Sequence, residues 1–244
     1  MRLFAEALPK VRAQVQADLH KRALTREKVT AQVVNLLEET MICIGNEAYA
    51  RQNETYGLTT LQDDHVEVSD SKVAFEFRGK SGKEHEIVVT DPRLACLVRA
   101  CQELPGQQLF QYIDEHGDIY GLTSTDVNEY LRTATSCDFT AKDFRTWDGT
   151  VTAAHLLNVI GPATTEKDAE RNVVQVIKGV ATKLGNTPAV CGQHYVHPTI
   201  VTAYQEGHLA PLYANIAAQE QSTADLAADE AVVYALLSQQ DDER

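Results

Sequence analysis

Basic residues are scarce in this sequence: 22 Lys and Arg stand against 35 Asp and Glu, for a net charge of −13. A protein that grips a polyanion commonly carries a basic face, because Lys and Arg replacing condensed counterions supply much of the affinity. The total therefore argues against a broad basic surface. A polyanion would have to sit in a locally basic cleft, held weakly and with strong salt dependence. Long apolar runs are also missing. None approaches the ~20 residues a membrane helix needs, and Met1-Arg2-Leu3-Phe4-Ala5-Glu6 lacks the apolar stretch of a secretory signal. Cysteines are few, odd in number and badly spaced for chelation: Cys43, Cys96, Cys101, Cys137 and Cys191, with no C-x-x-C pair. That argues against a disulfide framework and a zinc knuckle, and for a reducing cytoplasm. There are no repeats and no low-complexity linker.

What is present is an ordinary globular chain of 244 residues, long enough to bury a proper core. Its acidity is uneven. From Asn215 to Arg244 there are seven acids (Glu220, Asp225, Asp229, Glu230, Asp241, Asp242, Glu243) against Arg244 alone, read as a solubilising helix end, while the first fifty residues hold seven bases and six acids. Pro9 suits a helix first turn, followed by apolar Val11, Val15 and Leu19. Thr25 is a candidate N-cap for a stripe through Val29, Val33, Val34, Leu37 and Met41, with Gly45 as its stop. The period then changes. His65–Val68, Val73–Phe77 and Glu86–Val89 read as strands separated by Ser69-Asp70-Ser71 and Gly79-Lys80-Ser81-Gly82, a small three-stranded antiparallel sheet. After Asp91-Pro92 the helical period returns and persists, with Thr125, Thr140 and Thr165 as candidate N-caps, Gly185 as a stop, and an Ala-rich amphipathic segment over Leu212–Leu237. The expected fold class is α+β, mostly α, with one small sheet inserted early.

Four blocks carry the chemistry together, and none is specific alone. They are Gly45–Leu61; Phe77-Arg78-Gly79-Lys80-Ser81-Gly82; Lys142-Asp143-Phe144-Arg145-Thr146-Trp147; and Leu184-Gly185-Asn186-Thr187-Pro188 followed by Cys191-Gly192-Gln193-His194-Tyr195-Val196-His197-Pro198. In this order, from about Leu3 to about His208, the chain resembles the viral and bacterial type IB DNA topoisomerases. The nine positions from Asn186 to Tyr195 are the spacing that family shows between its phosphate-binding His or Asn and its nucleophile. Tyrosine recombinases share the catalytic domain but usually carry His three positions before the second arginine, where this chain has Lys142.

The resemblance implies a metal-free and ATP-free reaction on double-stranded DNA by a cytoplasmic, nucleoid-associated monomer without a cofactor. Tyr195 would form a 3′-phosphotyrosyl link, Arg145 would clamp a nonbridging oxygen, Asn186 would add a hydrogen bond, and Lys80 would be the general acid. Tyr49, Arg51, Asn53 and Tyr56 would contact DNA. These residue types suit the task. A phosphodiester repels nucleophiles, and a tyrosine side chain, with an ordinary pKa near ~10, needs fixed positive charge around it to react. Guanidinium geometry matches two phosphate oxygens.

The chain departs from the family at four positions. The first arginine of the family is Cys43 here, and loss of one preorganised donor typically lowers the rate by ~10²–10³. A usual basic pair near the nucleophile is Gly192-Gln193, and Asp148 stands where a small apolar residue is usual. These departures, with the net charge, support a second reading: a degenerate member, catalytically weak or inactive, that binds DNA or protein. The expected organisation is a catalytic domain over 1–210, a C-terminal helix and acidic tail over 211–244, and no N-terminal β clamp domain, either removed or lost. Each residue also has a plainer role. Tyr195 alone would be a half-buried packing residue, Lys80 a solvated turn lysine, Arg145 the partner of a core carboxylate and Cys43 a small apolar filler. Gly79-Lys80-Ser81 is no phosphate loop, since position 74 is Ala74. His194 and His197 lack the partners of a metal site.

Overall fold

In the computed structural model residues 1–218 and 226–242 are described. The chain divides into two compact units, one of Met1–Pro9 with Lys142–Arg244 and one of Lys10–Ala141. The elements run α1 (Arg2–Leu19), α2 (Arg26–Thr40), α3 (Glu47–Asn53), β1 (Val66–Ser69), β2 (Lys72–Arg78), β3 (Glu84–Thr90), α4 (Pro92–Gln102), β4 (Gln111–Ile113), β5 (Ile119–Gly121), α5 (Ser124–Thr135), α6 (Ala141–Ile160), α7 (Glu166–Lys183), α8 (Pro188–His194), α9 (Pro198–Gln205), α10 (Leu209–Ala218) and α11 (Ala228–Asp242). The fold is mostly helical with a small antiparallel sheet, the expected class. No helix of the described residues is long and apolar enough to cross a membrane.

In the unit of Lys10–Ala141, α2 starts where Thr25 accepts a hydrogen bond from the Lys28 amide at 3.3 Å. Its residues Val29, Val33, Val34, Leu36 and Leu37 are fully buried, each contributing roughly 1.5–3 kcal/mol by leaving water. The sheet has the order β1-β2-β3, with Val66 opposite Phe75 and Phe75 opposite Ile87. Alternation points Val73, Phe75 and Phe77 inward, and α4 packs behind β1 and β2.

The unit of Met1–Pro9 and Lys142–Arg244 is helical. Phe144 and Trp147 of α6 pack around Phe4, whose ring lies 5.0 Å from that of Phe144 in an edge-on arrangement. Helix α7 runs from the N-cap Thr165 to Leu184, followed by Gly185 at φ 66. It packs on α8 and α9, and α11 packs on α9 and α10.

Several boundaries differ from those expected. Pro9 lies in the middle of α1, not in its first turn. Its missing amide forfeits one helical bond, yet the helix continues because Phe4, Ala5, Leu8, Val11 and Val15 on its apolar side are all buried. Met41, not Gly45, ends α2, in a left-handed conformation with its amide donating to the Leu37 carbonyl at 3.0 Å. The cap of α5 is Thr123, not Thr125. A second hairpin, β4 with β5, interrupts the region expected to be all helical. The C-terminal segment contains two helices, α10 and α11, rather than one.

The acidic end is only partly a solvated surface. Glu230 is buried, accepting from the Trp147 indole N–H at 3.1 Å and the Ala227 amide at 2.9 Å. Asp229 accepts from the Tyr213 hydroxyl at 2.8 Å and pairs with His155 at 3.0 Å. Burial, then this carboxylate, push the Tyr213 phenol up from its ordinary value. Glu220, Asp225, Glu243 and Arg244 lie outside the described residues.

The cap of α5 gives the first expected result. The Asp126 carboxylate accepts from the Thr123 amide at 2.7 Å, the Thr123 hydroxyl at 2.6 Å and the Arg26 guanidinium Nε at 2.7 Å. Burial works to raise its pKa, but these donors overcome it and hold the carboxyl below its ordinary value. A depressed carboxylate contributes stability that is present above its unfolded-state pKa, ~4, and lost as pH falls through the lower folded value. Asp126→Asn should therefore lower stability at pH 7 by about 1 kcal/mol or more and flatten the loss below pH ~4. Urea unfolding from pH 7 to pH 2.5 measures both, and an unchanged acid limb would contradict the assignment.

Candidate active site

Helix α6 sets the geometry around Tyr195. Arg145 lies one turn into the helix and is only 4% exposed. Its Nη2 donates to the Leu184 carbonyl at 2.7 Å, at the C-terminus of α7. Its guanidinium carbon sits 5.4 Å from the centre of the Tyr195 ring, within cation–π range. The loop carrying Leu184 leads two residues later to Asn186, also buried. Thr187 then caps α8, accepting from the Val190 amide at 3.4 Å.

Tyr195 terminates α8 and is half-buried, with its amide donating to the Cys191 carbonyl at 2.9 Å. Two residues of α6 just beyond Arg145 shape its seat. Gly149 lies four positions on, so it shares the Arg145 face. A Cβ there would come within 2.4 Å of the Tyr195 carbonyl oxygen, which only glycine permits. Thr150 is fully buried, and its hydroxyl oxygen accepts from the His197 amide at 3.1 Å. One turn before the tyrosine, burial pushes the Cys191 thiol up from its ordinary value, while the charge of Arg145 pulls it the other way.

Arg145, Asn186 and Tyr195 thus fall in one unit, with the first and last in contact. The positions expected to be basic, Gly192 and Gln193, are exposed on α8, and Lys142 is exposed at the start of α6. Asp148 has a partner the sequence did not reveal: Lys183 Nζ lies 3.0 Å from its carboxylate and also donates to Thr152 at 3.1 Å.

The remaining expected residues fall in the unit of Lys10–Ala141. Lys80 opens a short 3₁₀ turn at the tip of the β2–β3 hairpin and is exposed. The turn is closed by the Gly79 amide donating to the Lys83 carbonyl at 2.7 Å. Cys43 is half-buried, its carbonyl accepting from the Leu58 amide at 2.9 Å. Gly45 follows at φ 97, a conformation that side chains disfavour. Tyr49, Arg51 and Asn53 lie exposed on α3, with Tyr49 62% exposed and Arg51 paired to Glu47 at 3.2 Å. Tyr56 packs edge-on against His65, ring centres 4.3 Å apart, and its amide donates to the Arg78 carbonyl at 2.8 Å.

Gly149, Thr150 and the Leu184 carbonyl were not found from the sequence. The signal that could have drawn attention to Gly149 is an isolated glycine inside a strong helical pattern, which usually marks close packing. Among the described residues no group of three His, Cys, Asp or Glu side chains could hold a metal ion.

Comparison with known proteins gives a consistent result. A family model described as eukaryotic DNA topoisomerase I, catalytic core, matches residues 1–222. The DNA topoisomerase 1B of Acanthamoeba polyphaga mimivirus is 28% identical over 209 residues, covering 83% of this chain and 62% of that protein. The DNA topoisomerase 1B of Vaccinia virus (strain Copenhagen) is 30% identical over 177 residues, covering 69% of this chain and 52% of that protein. The DNA topoisomerase I of Monkeypox virus is 29% identical over the same length. The chain thus spans between about half and 62% of the length of these relatives.

Proposed function

The chain belongs to the type IB DNA topoisomerase family, as its catalytic core, and from this we propose that it cuts and reseals one strand of double-stranded DNA through Tyr195. The Tyr195 hydroxyl gives up its proton to solvent as its oxygen attacks the phosphorus, the bond to the 5′ oxygen breaks, and a 3′-phosphotyrosyl link forms. Lys80 gives a proton to the departing 5′ oxygen. Arg145 and Asn186 hold the nonbridging oxygens as charge builds on them. After the free strand swivels, the 5′ hydroxyl attacks the phosphotyrosyl bond and the steps reverse. The energy of the broken strand stays in that bond, so no ATP is consumed.

The observation that carries this reading is the contact of Arg145 with Tyr195. A guanidinium buried to 4% exposure, fixed through the Leu184 carbonyl, stands 5.4 Å from the aromatic ring. Fixed charge in a water-poor site requires little reorganisation as the transition state forms. On this reading residues 1–210 carry the reaction, with 211–244 an appended helical segment. Tyr49, Arg51, Asn53 and Tyr56 face the duplex, and the protein works as a monomer in the cytoplasm beside the nucleoid.

The second reading, a degenerate core that holds DNA or protein without cutting, draws on Cys43. No thiol supplies the planar cation that the family has at this position. Both are tested with negatively supercoiled plasmid in low salt with EDTA and no ATP. Relaxation by the parent protein supports the first reading. Cys43→Arg should raise the rate by ~10²–10³, the usual worth of one preorganised donor. If neither protein relaxes the plasmid while both bind it, the degenerate reading stands.

A further inference from the structure

The path of the chain around Tyr195 is held from both sides. On its N-terminal side the Tyr195 amide is fixed to the Cys191 carbonyl as the end of α8. On its C-terminal side a single residue, Val196, separates it from His197, whose amide donates to Thr150 Oγ at 3.1 Å. The Thr150 hydroxyl itself donates to the Thr146 carbonyl at 2.6 Å. Its single proton is thereby committed along α6, and the oxygen lone pairs are turned outward to accept. Thr150 is 0% exposed, so water does not compete for that oxygen. His197 then caps α9, its Nδ1 accepting from the Thr199 amide at 3.4 Å. Arg145, Gly149 and Thr150 thus place the ring, the carbonyl and the following amide of one short segment along a single helix.

We infer that Thr150 is a positioning residue for Tyr195: its hydroxyl pins the His197 amide and so sets where the Tyr195 ring stands against Arg145. This inference rests on Tyr195 being the nucleophile. A hydroxyl is required rather than a side chain of the right shape. Valine fills the same volume but offers no acceptor, whereas serine keeps the acceptor and loses only a methyl group.

The test uses the full chain with Thr150→Val and Thr150→Ser. Amide exchange followed by NMR reads the pin directly. Exchange at His197 should speed up ~10-fold in Thr150→Val, the equivalent of one hydrogen bond, while Ala154 in the same helix stays unchanged and Thr150→Ser stays near the parent. Cleavage of a labelled duplex at saturating protein should slow by ~10–100-fold in Thr150→Val, as expected for a misplaced reacting group. The affinity for the duplex should hold, and Thr150→Ser should recover most of the rate. Unchanged exchange at His197 overturns the inference, and so does faster exchange with an unchanged saturated cleavage rate. If Thr150→Val does not fold, Thr150→Ala is measured by the same two readouts. If the parent forms no covalent adduct, the enzymatic reading fails on its own. The pin is then decided by the exchange data and by whether the contact between Tyr195 and Arg145 protons is lost in Thr150→Val.

Discussion

Tyr195→Phe is expected to abolish the covalent adduct with DNA and reduce plasmid relaxation to background, a fall on the order of 10⁴-fold or more, as for loss of other enzyme nucleophiles. The change removes one oxygen and keeps the ring. The ring is what packs in this structure: it lies 5.4 Å from the Arg145 guanidinium carbon, and a phenylalanine face attracts that cation nearly as well. The backbone of Tyr195, held by the Cys191 carbonyl and set against Gly149, is untouched. Stability should therefore change by less than about 1 kcal/mol, and binding to duplex DNA should persist. Trapping the reaction of a 5′-labelled duplex with detergent, alongside thermal unfolding and a binding titration, separates chemistry from folding. Undiminished adduct in the variant would move the nucleophile to another side chain. Loss of adduct together with a collapse of stability would show that the hydroxyl is structural.

Gly149→Ala should destabilise the protein, against the usual direction for such a change. In the interior of an exposed helix, alanine gains about 1 kcal/mol over glycine. Here the new methyl would lie 2.4 Å from the Tyr195 carbonyl oxygen, 3.3 Å from its carbonyl carbon and 3.2 Å from Leu184 Cδ1. Two of these atoms are backbone and cannot rotate away. Either α6 or the Tyr195 segment must shift, and overpacking of this kind costs typically 1–3 kcal/mol, occasionally more. The net expectation is a loss of roughly 1–2 kcal/mol, seen as a melting temperature lower by ~2–8 °C. The same shift displaces the tyrosine, so cleavage at saturating protein should fall by ~10²-fold. Calorimetry and single-turnover cleavage measure the two effects. A melting temperature equal to or above the parent's would show that the close approach is not a constraint.

The two variants probe different levels of the same site. Tyr195 stands out in the sequence as a candidate nucleophile because its neighbours, from Leu184 to Pro198, form a pattern with fixed spacing. Gly149 does not, because its importance comes from a carbonyl 46 residues further along the chain. Arg145 was read from the block Lys142–Trp147, but its partner, the Leu184 carbonyl, is a backbone atom that no residue type announces. Asp148 reads in the sequence as a departure from the family pattern. In the folded chain it is matched by Lys183, which comes 35 positions later.

What the sequence by itself determined was everything written in local signals. The strands β1, β2 and β3 follow from a two-residue alternation and two polar turns. The caps at Thr25 and Thr165 follow from a hydroxyl within three residues of the amide it accepts. The family follows from four blocks in order. Tertiary structure decided the rest, wherever distant groups competed with a local preference. Burial of the apolar side of α1 carried that helix through Pro9. Asp126, reinforced by Arg26 from 100 positions away, selected Thr123 over Thr125 as a cap. Packing against Trp147 turned Glu230 from a presumed solvated acid into a buried acceptor. The seat of Tyr195 on Gly149 and Thr150 belongs to the same class. A helix face acquires a role only when another segment is laid against it, and the free energy of that contact is absent from either segment alone.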